Sequence, residues 1–262
     1  MFTQLFKIQG KHINVSWSDS DNFKDLLGSQ TNWFGNEHNF TDKIIADGLL
    51  REYDTPLNFL LDHVTLPVNP SIVDIGSGTS VMDLVLYQFL DKKAKFYLID
   101  GSTVEHVNKG ILHTKEFSTY NSWSPVTDAI VTNNFNKEDF TFWLPNTSDS
   151  KEAETQYENV QVDMIFSKAS CGLHYPVEVY WERVLQILKP GGWFCVMPVL
   201  NVGKQYELIC SHFGEPKAKI IVDMKTINSI RPNETDYWET VIPNAKDANT
   251  IWGYKAIWQR PF

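Results

Sequence analysis

Val73-Asp74-Ile75-Gly76-Ser77-Gly78-Thr79 decides the fold of this chain: a short apolar run carrying an acid, followed at once by two glycines one residue apart. An apolar run bounded by glycine predicts a buried strand, and glycines at 76 and 78 let the backbone turn sharply and approach a ligand closely. The helix predicted over 80–90 then presents its first N–H groups to negative charge, such as a carboxylate. By itself a Gly-x-Gly of this kind serves equally well as a plain tight turn. A dinucleotide site prefers G-x-G-x-x-G, whose third glycine brings helix and strand together, and Val81 stands there instead. The missing glycine argues against NAD and FAD.

Outward from this turn the pattern alternates. Strands are predicted over 71–75, 95–99, 128–132, 162–167, 192–197, 218–223 and 251–259, with helices near 80–90, 103–109, 176–188 and 203–212. Such alternation predicts an α/β, Rossmann-like, seven-stranded and mostly parallel sheet with helices on both faces. Its ligand crevice lies beyond the carboxyl end of the first strand. Lys189-Pro190-Gly191-Gly192 stops the preceding helix before the buried run Trp193 to Met197.

Residues 1–68 read as an N-terminal decoration and substrate lid, and 69–262 as one compact unit. Phe6, Ile8, Ile13, Val15 and Trp17 alternate around Gln9-Gly10-Lys11, the pattern of a β-hairpin. The polar stretch 19–40 carries Trp33, Phe34 and His38 and reads as a loop with large side chains. Helical spacing of Ile44, Ile45, Leu49 and Leu50 follows, and Asp54-Thr55-Pro56 restarts a second helix through His63. The acid-rich stretch 146–159 reads as a surface insertion.

The chain has 262 residues, 42% apolar and 21% charged, and a formal charge of -9. This is ordinary for a globular protein and leaves no basic footprint for nucleic acid. Cys171, Cys195 and Cys210 show no CxxC spacing, so no metal site or disulfide framework is expected. With no signal segment and no apolar run long enough for a membrane span, a soluble cytoplasmic protein is expected.

Several residues near the crevice carry chemistry. Asp100 closes the second strand at the separation where an acid accepts hydrogen bonds from two ribose hydroxyls; the alternative is a cap on the helix beginning near Thr103. Asn134 and Phe135 follow the run 128–132 with an amide for an adenine edge and a ring for its face, or with plain turn chemistry. His174 sits just before the helix that Pro176 opens, where it can act as a base or as a cap.

Together these segments resemble the class I S-adenosylmethionine-dependent methyltransferases. The resemblance rests on Val73 to Thr79, the acid after the second strand, Val162-Asp163-Met164-Ile165-Phe166-Ser167 and Val184 to Gly192, and covers about residues 70–260. It implies an antiparallel last strand, Ile251 to Trp258, and S-adenosyl-L-methionine as cofactor. The turn of Asp74, Gly76, Ser77, Gly78 and Thr79 would hold its methionine end, and Asp100 with Gly101 its ribose. Asn134 and Phe135 would meet the adenine, and Ser167 or Lys168 would lie beside the cofactor. Ser80 departs from the family pattern, which often has glycine there, and Asn134 stands where Asp is common.

The implied reaction is methyl transfer by in-line displacement, in which the protein mainly positions donor and acceptor. Should the acceptor have to lose a proton, His174 is the first candidate base, with Glu178 and His38 behind it. Ser167-Lys168-Ala169-Ser170 replaces the Asn/Asp-Pro-Pro-Tyr/Phe and Pro-Cys motifs of nucleobase- and amide-methylating members. Cys171 to Tyr180 is similar to a stretch of sugar and small-molecule O-methyltransferases, so a small-molecule or sugar acceptor is expected. Trp33, Phe34, His38, Tyr53, Tyr237 and Trp238 would line an aromatic lid. A catalytically silent cofactor-binding module and a viral or phage nucleic-acid methyltransferase are the alternatives.

Overall fold

The computed structural model describes residues 1–18, 49–100, 123–144, 155–168, 170–171, 176–201, 204–230 and 242–262. His38, Gly101, His174, the helix expected over 103–109 and the aromatics Trp33, Phe34, Tyr237 and Trp238 lie outside the described residues.

Two strands, β1 (Phe2–Ile8) and β2 (Lys11–Trp17), form the expected hairpin. Its turn residues Gln9 and Gly10 both have positive φ, the conformation whose twist suits a two-residue hairpin. Helix α1 (Thr55–His63) holds that turn: Asn58 accepts from the Gln9 N–H at 2.8 Å and donates to the Lys7 carbonyl at 3.1 Å. Ahead of α1 the chain does not restart. A π-helical turn, Leu50–Asp54, runs straight into it, because Asp54 itself keeps right-handed helical angles.

The main sheet is built from β3 (Ser71–Ile75), β4 (Lys95–Ile99), β5 (Phe140–Trp143), β6 (Val162–Lys168), β7 (Leu188–Leu200), β8 (Ala218–Asp223) and β9 (Ile251–Gln259). Their order is β5-β4-β3-β6-β7-β9-β8. From β5 to β7 neighbouring strands run parallel, and β9 runs antiparallel to both β7 and β8. The intervening helices are α2 (Val81–Phe89), α3 (Ser124–Thr132), α4 (Glu178–Ile187), α5 (Gln205–Phe213) and α6 (Met224–Ile230). After β3 the chain winds outward through β4 and β5, then returns to the other side of β3 with β6. That reversal opens a crevice at the carboxyl ends of β3, β4 and β6.

The third strand is a correction. Residues 128–132, expected as a strand, belong to helix α3, and the strand beside β4 is β5. The β-branched run Ile130-Val131-Thr132 suggests a strand, but the burial follows a helical period: Val126, Ala129 and Ile130 are buried and Val131 is exposed. Pro125 in the first turn suits the start of that helix. Strand β7 also begins earlier than expected: Leu188 already pairs with Val162, so Lys189-Pro190-Gly191-Gly192 lies within the strand, where the pairing slips.

The hairpin is part of the core. Phe6, Ile8, Val15 and Trp17 are fully buried in one cluster with Leu84 and Val85 of α2 and Ala129 of α3. Asn133 pins it further by exchanging hydrogen bonds with the N–H and carbonyl of Ser16 at 3.0 and 2.7 Å. Among the described residues no helix is long and apolar enough to cross a membrane. Phe6→Ala is expected to destabilise the protein by about 3–5 kcal/mol, read in chemical denaturation as an earlier single transition. A separate early transition of the hairpin would contradict its place in the core.

Candidate functional site

The carboxyl ends of β3, β4 and β6 are laced together by backbone and hydroxyl groups. Gly76 and Ser77 both donate their N–H to the Ile99 carbonyl, at 2.7 and 3.0 Å, which folds the turn after β3 over the end of β4. On the other side Ser167 donates its hydroxyl to the Ile75 carbonyl at 2.7 Å and accepts from the Cys171 N–H at 2.9 Å. Ser167 is fully buried, so its hydroxyl clamps β6 to β3.

The two glycines do different work. A side chain at Gly76, where φ is +76°, would run into Ser170, whose Cβ lies 2.1 Å from the position a Cβ would take. Gly76 is thus required by the loop after β6. At Gly78, with φ of +54°, a Cβ would meet only Asp100, at 4.0 Å. The Gly78 N–H donates to the Asp100 carboxylate, so this glycine opens the backbone toward the acid that closes β4.

Ser80 stands just before α2 with φ of +51° and ψ of +26°, the left-handed conformation that glycine adopts without strain. The backbone has kept the shape expected of a glycine, and the serine bears it.

Below the turn the polar groups are buried. Asp74 Oδ1 and the hydroxyls of Ser77 and Thr79 are enclosed and meet no hydrogen-bond partner, while the enclosed carboxyl of Asp83 faces Asp74 and the Ser80 hydroxyl. Such groups are costly to bury unless something pairs them. Asp83, in the first turn of α2, was not expected from the sequence as a site residue. Burial pushes its carboxyl up to about 7. Asp74 is held well above the carboxylate range, first by burial and then by the charge of Asp83; the charge of Lys168 works the other way.

At the rim, Lys168 ends β6 and holds its ammonium 4.7 Å from the centre of the Tyr53 ring. Tyr53 is the one residue of the expected aromatic lid among the described residues, and it lies at the crevice. Farther along this edge Glu178 opens α4. Its carboxylate accepts from the Gln205 amide at 3.0 and 3.3 Å, and Gln205 in turn accepts from the Val177 N–H. Gln205 is buried at the start of α5. A lone glutamine ahead of a helix carries no motif, so sequence reasoning missed it. Cys171 is fully buried and burial raises its thiol, so it is no nucleophile.

Asn134 and Phe135 are the second correction. They follow α3 and precede β5, which puts them at the amino edge of the sheet, opposite the turn. Phe135 is buried with its ring 5.0 Å from Tyr87 and 6.5 Å from Phe140, and Asn134 has φ of +51° in the turn after the helix. They are packing and turn residues. The carboxyl end of the true third strand is Trp143, stacked 4.3 Å from Tyr97.

No family model and no curated protein matches the chain. Solved structures do. Geranyl diphosphate C-methyltransferase from Streptomyces coelicolor, crystallised with Mg2+, geranyl diphosphate and S-adenosyl-L-homocysteine, matches with a TM-score of 0.52 at 12% identity, over 95% of this chain and 91% of that one. StiE O-MT (residues 961–1257) matches with a TM-score of 0.53 at 11% identity, over 99% and 86%. The chain has the class I methyltransferase fold. The 4+2 cyclase SpnF shares it, with a TM-score of 0.51 at 14% identity, over 92% and 94%, so the fold does not by itself dictate the reaction.

Two predictions follow from the turn. Ser80→Gly relieves the left-handed strain at the cost of one hydrogen bond to Asp83, so the ligand-free protein should gain at most about 1 kcal/mol in chemical denaturation. Because the folded-state value of Asp83 lies above its unfolded value of about 3.9, its contribution to stability is present in acid and is lost as pH rises through about 7. Asp83→Asn is therefore expected to gain on the wild type between about pH 5 and pH 8. Melting temperatures would differ by at least about 2 °C at the upper end, at about 2–4 °C per kcal/mol.

Proposed function

We propose that this chain is an S-adenosyl-L-methionine-dependent methyltransferase acting on a small-molecule or sugar acceptor. The observation that carries the reading is the turn from Asp74 to Thr79: unpartnered buried oxygens beneath a glycine that opens toward Asp100, at the switch point of the sheet. These groups fit the cofactor. Asp74, Ser77 and Thr79 offer acceptors to its ammonium, and the N–H groups of the glycine turn suit its carboxylate. Asp100, with Gly101 after it, offers a carboxylate to the ribose hydroxyls, and Lys168 with Tyr53 bounds the rim. The adenine contact passes from Asn134 and Phe135 to the residues that follow Trp143. When bound, the cofactor supplies a methyl group activated on a sulfonium.

His174, which stands between β6 and α4 in the sequence, is the first candidate for general base. Glu178, held by Gln205, stands on that side as a second carboxylate, and His38 belongs to the N-terminal segment that would close over the acceptor. The formal charge of -9 and the Ser167-Lys168-Ala169-Ser170 stretch favour a small acceptor over nucleic acid. The free thiols suit the cytoplasm.

The reading is tested by calorimetric titration with S-adenosyl-L-homocysteine, then by transfer of labelled methyl from the cofactor into fractionated cell extract. Binding in the micromolar range is expected, weakened about tenfold or more by Asp100→Ala, with label entering a low-molecular-weight fraction. Absence of binding would overturn the reading. Binding with no labelled product from any fraction would point to the silent module.

A further inference from the structure

Asp83 lies outside the residues that the glycine turn itself accounts for. Its neighbours along α2, Val81, Met82, Leu84, Val85, Leu86 and Tyr87, are all buried, since the helix is enclosed by the sheet on one side and the hairpin on the other. A carboxylate is a poor choice for such a position unless it is paired. The group that faces it is a second acid, Asp74, equally enclosed on β3. Two carboxyls brought together out of water cannot both ionise; they resolve the conflict by keeping a proton between them. The other charged groups facing Asp74 are Asp100 at the end of β4 and Lys168 at the end of β6, of opposite sign. The buried, unpartnered hydroxyls of Ser77 and Thr79 lie in the same turn and mark the spot as one that receives a polar ligand.

We propose that Asp83 is a positioning residue that sets the charge of Asp74 through a proton shared between the two carboxyls, and so makes the turn's affinity for an ammonium-bearing ligand rise with pH. The inference rests on the reading that this turn holds the amino-acid end of the cofactor. With both protons in place the pair is neutral and offers an ammonium no charge. Loss of one proton to solvent leaves a single negative charge spread over the pair, facing the ligand's cation. Below the transition, binding must therefore release up to one proton to the buffer.

The test is titration of the full chain with S-adenosyl-L-homocysteine between about pH 6 and pH 8, in two buffers of different ionisation enthalpy so that released protons are counted. The wild type is expected to bind about tenfold more tightly at the upper end, releasing protons at the lower end. In Asp83→Asn the amide can neither carry the competing charge nor share the proton in the same way, so Asp74 ionises in more acidic solution. That variant should bind more tightly than the wild type at about pH 6, with a shallower profile. Asp83→Leu, which removes the charge while keeping an apolar fit, should make the profile shallower too and guards against a packing defect peculiar to the amide. Weaker binding at every pH with the wild-type slope in both variants would overturn the inference and leave the cofactor reading intact. Failure of the wild type to bind at any pH would overturn the cofactor reading, and the inference with it.

Discussion

Everything at the crevice depends on two backbone N–H groups, those of Gly76 and Ser77, sharing one carbonyl at the end of the neighbouring strand, Ile99. That fork bends the chain back over β4 as soon as β3 ends and brings Gly78 to the Asp100 carboxylate. It leaves the Ile75 carbonyl open on the other side, where Ser167 takes it up and ties in β6. Three strand ends are thereby fixed against one another by short hydrogen bonds enclosed in the protein, where such bonds are strengthened by the low local dielectric. The requirement for glycine follows from this lacing: position 76 has no room beside Ser170, and position 78 takes a left-handed backbone angle that a side chain would strain.

The same lacing creates the electrostatic tension of the site. Folding the turn tightly encloses Asp74, and α2 then delivers Asp83 against it. A structure selected for stability alone would have an apolar residue at 83, in line with the rest of that helix. Keeping an acid there raises the cost of the ionised form and makes the empty turn less stable as pH rises, a conflict of the kind that proteins retain at functional positions. Lys168, at the rim, moderates it from outside by favouring the charged form of Asp74.

Much of this was legible in the sequence, for identifiable reasons. The turn, β3, β4, β6 and the last strand are long apolar runs with glycine or an acid at their ends, and the alternation of strand and helix fixes a parallel arrangement. Strand β5 was not legible, because Phe140-Thr141-Phe142-Trp143 is only four residues long and pairs along just one edge. The β-branched run of α3 took its place in the reading, and Asn134 and Phe135 were drawn to the site by that single misassignment. The spacing of Val126, Ala129 and Ile130 fits a helical face, but the β-branched run Ile130-Val131-Thr132 carries the stronger β propensity. Asp83 and Gln205 were hidden for a different reason: each matters through one contact made across the fold, and no local pattern announces such a contact.

Position along the crevice also separates what the fold provides from what gives the chain its own chemistry. The β3 and β4 ends are built from backbone groups and a few oxygens. The β6 and β7 side is built from side chains that belong to this chain. Lys168 is held near Tyr53, and Glu178 is fastened to Gln205 so that α4 and α5 begin at a fixed distance. Fastening the carboxylate through both oxygens costs it rotational freedom but keeps it aimed, which is the condition under which a charged group discriminates between acceptors instead of following them. On the proposed reading, selectivity would reside on this second side, where one cation and one carboxylate are each held by a neighbour, while the first side would set the affinity for the donor.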